Sequence, residues 1–356
     1  MSVHMAGNLA EDMAGQNEAM CEDSENHGAE PQSTTGHGNL EKTTPQTLPH
    51  PIILDGGMSR ELMRLQAPFR QPEWSALALI ETPHLVEQVH SDFAAAGADV
   101  LTTNSYALVP FHIGVERFQR DGEELAGLAG RLAKSAANQE QTRSDRKVSV
   151  AGSLPPVFGS YRPDLFDAET VDKYLEILVR GLLPHVDIWL GETLSSIAEA
   201  KAVEKAVMGT GKPLWIAFTI KDEEVSTNSK GTTPTALLRS GETVEEAARW
   251  VCSSSAESLL FNCSRPEFMD LAIRGAKSVI SQQDRSISLG VYANTFEPSS
   301  NAPAANEKIS VTRNDLDVKS YSVLAQKWVA SGATIVGGCC GIGYEHIAQL
   351  SQDLQG

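Results

Sequence analysis

From residue 52 onward, short apolar runs recur along the chain, each followed by a longer stretch in which apolar positions return every three or four residues. The runs are Ile52–Leu54, Val100–Thr103, Val148–Ala151, Val186–Leu190, Leu214–Thr219, Leu259–Phe261, Ile287–Tyr292 and Thr334–Val336. They do not alternate apolar with polar, the pattern of parallel strands covered on both faces. The stretches between them have helical period. Leu85, Val86, Val89, Phe93 and Ala96 share one face behind Thr82, an N-cap candidate, and Pro83 at the first helical position. Gly97 is placed to end that helix. Tyr174, Leu175, Leu178, Val179 and Leu182 form a second stripe, and Thr243 with Glu246 makes a capping box before a third. Eight strand–helix repeats predict an α/β fold, a (β/α)8 barrel, over residues 50–356. A doubly wound sheet is the alternative, but it gathers its chemistry at one switch point.

Polar residues follow nearly every run. Asp55-Gly56-Gly57 follows the first, Asn104-Ser105-Tyr106 the second, Gly152–Pro156 the third and Glu192-Thr193 the fourth. Asn262-Cys263, Asn294 and Gly337–Gly341 follow the sixth, seventh and eighth. A barrel brings all these strand ends to one mouth, where enzymes of this architecture do their chemistry. Residues 1–49 differ in kind: eight acidic residues, one Lys, no aromatic residue, and a Ser/Thr/Gly/Pro/Gln-rich stretch around Gln32–Thr47. Such a segment buries too little apolar surface to offset its chain entropy, so a disordered acidic tail is expected there. Lys+Arg 29 against Asp+Glu 46 gives a net charge of −17. That balance argues against a nucleic-acid partner and suits a neutral or cationic small molecule. There is no apolar run of membrane-spanning length and no basic, then apolar, leader, so neither a membrane segment nor a secretory signal is expected.

The five cysteines are Cys21, Cys252, Cys263, Cys339 and Cys340. They are too few and too uneven for a disulfide scaffold, which points to a reducing, cytoplasmic setting with free thiols. Cys21 lies in the tail and Cys252 on a helical segment, where a thiol is an ordinary small hydrophobe. Cys263, Cys339 and Cys340 all stand at predicted strand ends. No CxxC pair is present, so the spacing of a structural zinc site is missing. Three thiolates meeting at one mouth can nevertheless hold Zn²⁺ with a fourth position open to a substrate. The Gly337–Gly343 run also looks superficially like a phosphate loop, but it has no βαβ unit after it and would not need two cysteines.

These residues, in this order, resemble the homocysteine S-methyltransferase family from about Ile52 to Leu350: Asp55-Gly56-Gly57-Met58, Gly152–Pro156, Glu192-Thr193, Asn262-Cys263 and Gly337–Gly341. The resemblance implies a barrel that holds Zn²⁺ through Cys263, Cys339 and Cys340. It implies that homocysteine's thiol takes the open position, loses its proton there and attacks the methyl carbon of a donor, with no protein nucleophile. Asp55 and Glu192 are then assigned to the amino group of homocysteine, and backbone N–H groups near Gly56 and Gly57 to its carboxylate. Asn104, Tyr106 and Asn294 fall on the donor side. Tyr292-Ala293-Asn294-Thr295-Phe296 departs from the family pattern Tyr-Pro-Asn-Ser/Thr-Gly at Phe296, which bears on the shape of that loop and on donor preference. Folate or cobalamin donors need extra modules, so a sulfonium, S-methylmethionine or S-adenosylmethionine, is the preferred donor; betaine fits the same electrostatic argument. Two alternatives are another thiol or selenol as acceptor, and a catalytically silent zinc-binding barrel.

Overall fold

All eight apolar runs become parallel strands. The structure is a computed structural model in which residues 50–222, 226–227, 234–297 and 312–356 are described. The expected tail, residues 1–49, and Cys21 with it, lies outside them. The strands are β1 (Ile52–Ile53), β2 (Val100–Thr102), β3 (Ser149–Leu154), β4 (Ile188–Leu194) and β5 (Leu214–Phe218). A short antiparallel hairpin follows, β6 (Ser226–Thr227) and β7 (Pro234–Thr235). The remaining barrel strands are β8 (Ser258–Asn262), β9 (Ser288–Ala293) and β10 (Ile335–Gly338). The sheet runs β1-β10-β9-β8-β5-β4-β3-β2. Leu54 then forms a parallel bridge to Val100, which joins β1 to β2 and closes the ring. The (β/α)8 barrel is therefore the fold of the described residues.

Eight helices return the chain on the outside: Pro83–Ala95, Val115–Ser144, Val171–Leu182, Ile197–Val207, Val244–Ser253, Pro266–Ile280, Val318–Ser331 and Tyr344–Gln355. Thr243 and Glu246 form the expected capping box. Thr82 is the N-cap of its helix, but its hydroxyl donates back to Ala78 O at 3.2 Å because it also ends the preceding helix, Ser75–Glu81. The sequence pattern does not announce the 30-residue helix Val115–Ser144, since Gly122, Gly127 and Gly130 interrupt its apolar stripe. Two apolar clusters result. One lies between strands and helices; the other fills the lumen with Leu54, Val100, Ala151, Leu190, Ala217 and Leu260 among others. Burial on both faces is why the strands read as unbroken apolar runs. No helix among the described residues is long and apolar enough to cross a membrane.

Candidate functional site

Side chains alternate along a strand, so parity decides which residues enter the barrel. In β4, Ile188 and Leu190 face the lumen, and Glu192 follows on the same side at the C-terminal end. In β9, Tyr292 faces the lumen and Asn294 continues that series. In β10, Ile335 does, and Cys339 packs against the same luminal cluster. Cys263 breaks the rule. Leu260 is luminal, so parity would turn Cys263 toward the helices, but its φ of 47° redirects the chain. The left-handed region is costly for a residue with a Cβ and persists where the surroundings over-determine it. The Cys263 N–H donates to Tyr292 O at 3.1 Å.

The outcome is a cluster of three sulfurs. The Sγ atoms of Cys263, Cys339 and Cys340 all lie within 4.8 Å of one another, and Cys263 and Cys340 are 3.7 Å apart. A tetrahedral ion with zinc–sulfur bonds of about 2.3 Å sets roughly 3.8 Å between its sulfurs, so this spacing fits. The donor set fits as well, because thiolates favour a soft or borderline cation such as zinc. Hydrogen bonds from the other two thiols hold Cys263 well below the usual thiol range, against the effect of its burial. The same bonds to Cys263 push Cys339 and Cys340 up. A cation among the three sulfurs would favour ionisation of all of them.

Gly57 shows how closely the first loop meets the cysteine loop. A Cβ on Gly57 would lie 2.6 Å from Cys339 O and 3.2 Å from Cys340 Cα. Its N–H donates to Ile342 O at 2.8 Å, and Arg60 donates to Gly341 O at 2.6 Å. Of the two glycine N–H groups expected to meet a carboxylate, the one at Gly57 is therefore spent on the cysteine loop. The one at Gly56 has no partner among the described residues.

Two acids sit beside this cluster. Asp55 accepts from Thr102 N at 2.7 Å and from Thr102 Oγ1 at 2.9 Å. Burial raises its pKa to about 8 despite those bonds, and the charge of Glu192 adds to the rise. Glu192 accepts from Ser153 Oγ and, at 3.3 Å, from Tyr292 Oη. Burial raises it to about 7, and the charge on Cys263 contributes. Neither acid pairs with a Lys or Arg among the described residues. Burial without a cationic partner thus holds both carboxyls above the usual carboxylate range.

The other expected residues also reach this end of the barrel, with different attachments. Asn294 is buried, and its side chain is among the groups that lower the Cys263 thiol. Tyr106 Oη lies 2.6 Å from Ser160 Oγ, and Cys263 is among the charges it feels. Asn104 is buried, and its Nδ2 donates to Ser75 O at 3.1 Å, which ties the loop after β2 to helix Ser75–Glu81. Phe296, the departure from the family pattern, pairs with Thr312 in an antiparallel bridge, and its N–H donates to Asn294 Oδ1 at 3.1 Å. Ser153, Asn262 and Tyr292 lie in motifs quoted from the sequence but are given no role there, and Tyr161 is not named; all four bond to residues of this site. Asn262 exchanges two bonds with Thr193, at 2.9 and 2.8 Å, across a register shift in β4, and so braces the backbone that presents Glu192. Tyr161 donates to Cys263 Sγ at 2.9 Å from a loop that carries no periodic signal.

Comparison with known proteins gives one consistent answer. The family profile described as homocysteine S-methyltransferase matches residues 52–354. Homocysteine S-methyltransferase 1 of Zea mays is 27% identical over 329 residues, covering 85% of this chain and 94% of that protein. Selenocysteine methyltransferase of Astragalus bisulcatus is 28% identical, covering 81% of this chain and 88% of that protein. Among solved structures, the metallated form of the homocysteine methyltransferase MmuM from Escherichia coli superposes with a TM-score of 0.67 at 24% identity, covering 85% of this chain and 96% of that one. At that identity the likeness speaks for the fold.

Proposed function

This chain belongs to the homocysteine S-methyltransferase family, and from that premise we propose that it transfers a methyl group from a small sulfonium donor to the thiol of homocysteine, using a zinc ion held by Cys263, Cys339 and Cys340. It is an S-methyltransferase. The observation that carries the finer reading is the meeting of three sulfurs within 4.8 Å, although they lie on two strand ends far apart in sequence. When bound, zinc would supply the positive charge that keeps an incoming thiol deprotonated near neutral pH. The chain's own residues do the rest. The cysteine trio holds the ion. Asp55 and Glu192 are the acids available to an ammonium group, whose charge would draw both carboxyls toward ionisation. The Gly56 N–H is the donor for the substrate carboxylate. Holding acceptor and donor in line supplies much of the acceleration, because orientation removes an entropic barrier.

S-methylmethionine and S-adenosylmethionine are the preferred donors, because a cationic sulfonium suits a site with two unpaired acids. A second acceptor reading is supported by the selenocysteine methyltransferase relatives, since a selenol is a softer and more acidic version of the same group. The test is metal quantification together with product formation across S-methylmethionine, S-adenosylmethionine and betaine, with homocysteine and selenocysteine as acceptors. In Cys340→Ala, zinc occupancy and methyl transfer are expected to fall together while the fold persists. Normal turnover by metal-free protein would overturn the zinc reading, and turnover with betaine alone would overturn the sulfonium reading.

A further inference from the structure

The Cys263 sulfur is embraced by a closed circuit of side chains that starts at Tyr161. The Tyr161 hydroxyl lies 2.9 Å from Cys263 Sγ and 3.4 Å from Cys263 O. Tyr161 itself has a φ of 63°, a conformation that a bulky residue adopts only under constraint. The constraint is visible on its ring, where the Arg239 guanidinium sits 4.8 Å from the centroid. Arg239 is anchored in turn by Asp222 at 2.8 Å, and the other oxygen of Asp222 accepts from Arg265 N at 2.8 Å. Arg265 lies two residues beyond Cys263, so the circuit returns to the loop it began from. Loops after β3, β5 and β8 are joined this way, and two residues of the circuit, Tyr161 and Cys263, have left-handed backbone.

We propose that Tyr161 is a positioning residue of the metal centre: its hydroxyl makes the outer hydrogen bond to Cys263 Sγ that fixes where this sulfur points and draws off part of its charge. The inference rests on the zinc reading above. A bond of this kind to a ligand atom orients the ligand and tunes the metal, and its removal typically costs about 10- to 100-fold in metal affinity. The role of Arg239 is to hold the ring over which it lies, an attraction of the cation–π type.

Tyr161→Phe keeps the ring and deletes only the hydroxyl, so it is the direct test. Zinc affinity, measured by competition with a chromophoric chelator, is expected to fall on the order of ten-fold or more. In the cobalt-substituted protein the thiolate-to-metal charge-transfer band is expected to move to lower energy, because Cys263 regains the charge that the hydroxyl drew off. A purely structural tyrosine would leave that band in place. Arg239→Met leaves the hydroxyl but frees the ring; the same band is expected to move in the same direction by less, which keeps the test available should Tyr161→Phe not fold. Affinity and spectrum unchanged in the variants, with wild-type protein binding zinc normally, would overturn the inference alone. Wild-type protein that takes up no zinc would overturn the metal reading and this inference with it.

Discussion

Cys263 and Thr193 both adopt positive φ, at 47° and 58°, at the C-terminal ends of β8 and β4. A non-glycine residue spends free energy in that conformation, and here each turn redirects its strand end at the site. Burial is spent the same way at Asp55 and Glu192, whose pKa values are raised chiefly by desolvation. His90 is a different case. It is fully buried on helix Pro83–Ala95, and neither ring nitrogen has a hydrogen-bond partner among the described residues. Burial lowers its pKa from 6.5 to about 3. A depressed value means that the unfolded chain binds a proton the folded chain refuses. The stability this confers is present above pH 6.5 and lost as pH falls toward 3, at about 1.4 kcal/mol per unit. His90→Leu, which cannot take up that proton, is therefore expected to gain about 2 kcal/mol on the wild type between pH 7.5 and pH 5. Denaturant unfolding of both proteins at the two pH values measures this, and an equal stability difference at both would refute it.

At the scale of elements, the site is made where the loop after β1 is pressed against the loop after β10. Gly57 has ordinary extended backbone, with φ −74° and ψ 104°, so its identity comes from proximity and not from conformation. Because the contacts a Cβ would make are with backbone atoms of Cys339 and Cys340, no side-chain rotation relieves them. Gly57→Ala is expected to displace the cysteine loop, to cost about 1–3 kcal/mol as an overpacked contact, and to weaken zinc binding more than ten-fold. Thermal unfolding and a metal-binding titration check both parts; full zinc affinity in the variant would refute the coupling of the two loops. Gly56-Gly57 is readable from sequence as a tight turn. That its second glycine serves the cysteines is not, because the contact spans 282 residues of chain between Gly57 and Cys339. The strands are legible for a local reason: a segment covered on both faces must be apolar throughout. The same holds for the three cysteines, each of which stands within four residues of the end of such a run. Tyr161 follows no run, and its partner is 102 residues away, so no local signal marks it.

In the whole molecule, the sulfur cluster brings together the ends of two strands that are not neighbours in the sheet. Cys263 lies at the end of β8 and Cys339 and Cys340 at the end of β10, with β9 between them in the sheet. The barrel closes by a single bridge, Leu54 to Val100, and β1 beside β10 has only two strand residues. The ring is therefore thinnest next to the strand that carries two of the ligands. An ion bound by the trio ties β8 to β10 across β9 and, through the Gly57 contact, fixes the loop that leaves β1. Anything that binds only the folded state stabilises it by mass action, about 4 kcal/mol at a thousand-fold excess over the dissociation constant. In a barrel of roughly 300 residues each kcal/mol moves the unfolding midpoint by about 2 °C, so stripping zinc with a chelator is expected to lower it by on the order of 5–10 °C. The measurement is run with a thiol-free reductant, which keeps the closely spaced Cys263 and Cys340 from joining. Cys340→Ala supplies the control: its midpoint is expected to lie near that of the stripped wild type and to be insensitive to chelator. A midpoint that does not respond to zinc removal in the wild type would mean that the three sulfurs do not hold the barrel's strand ends together.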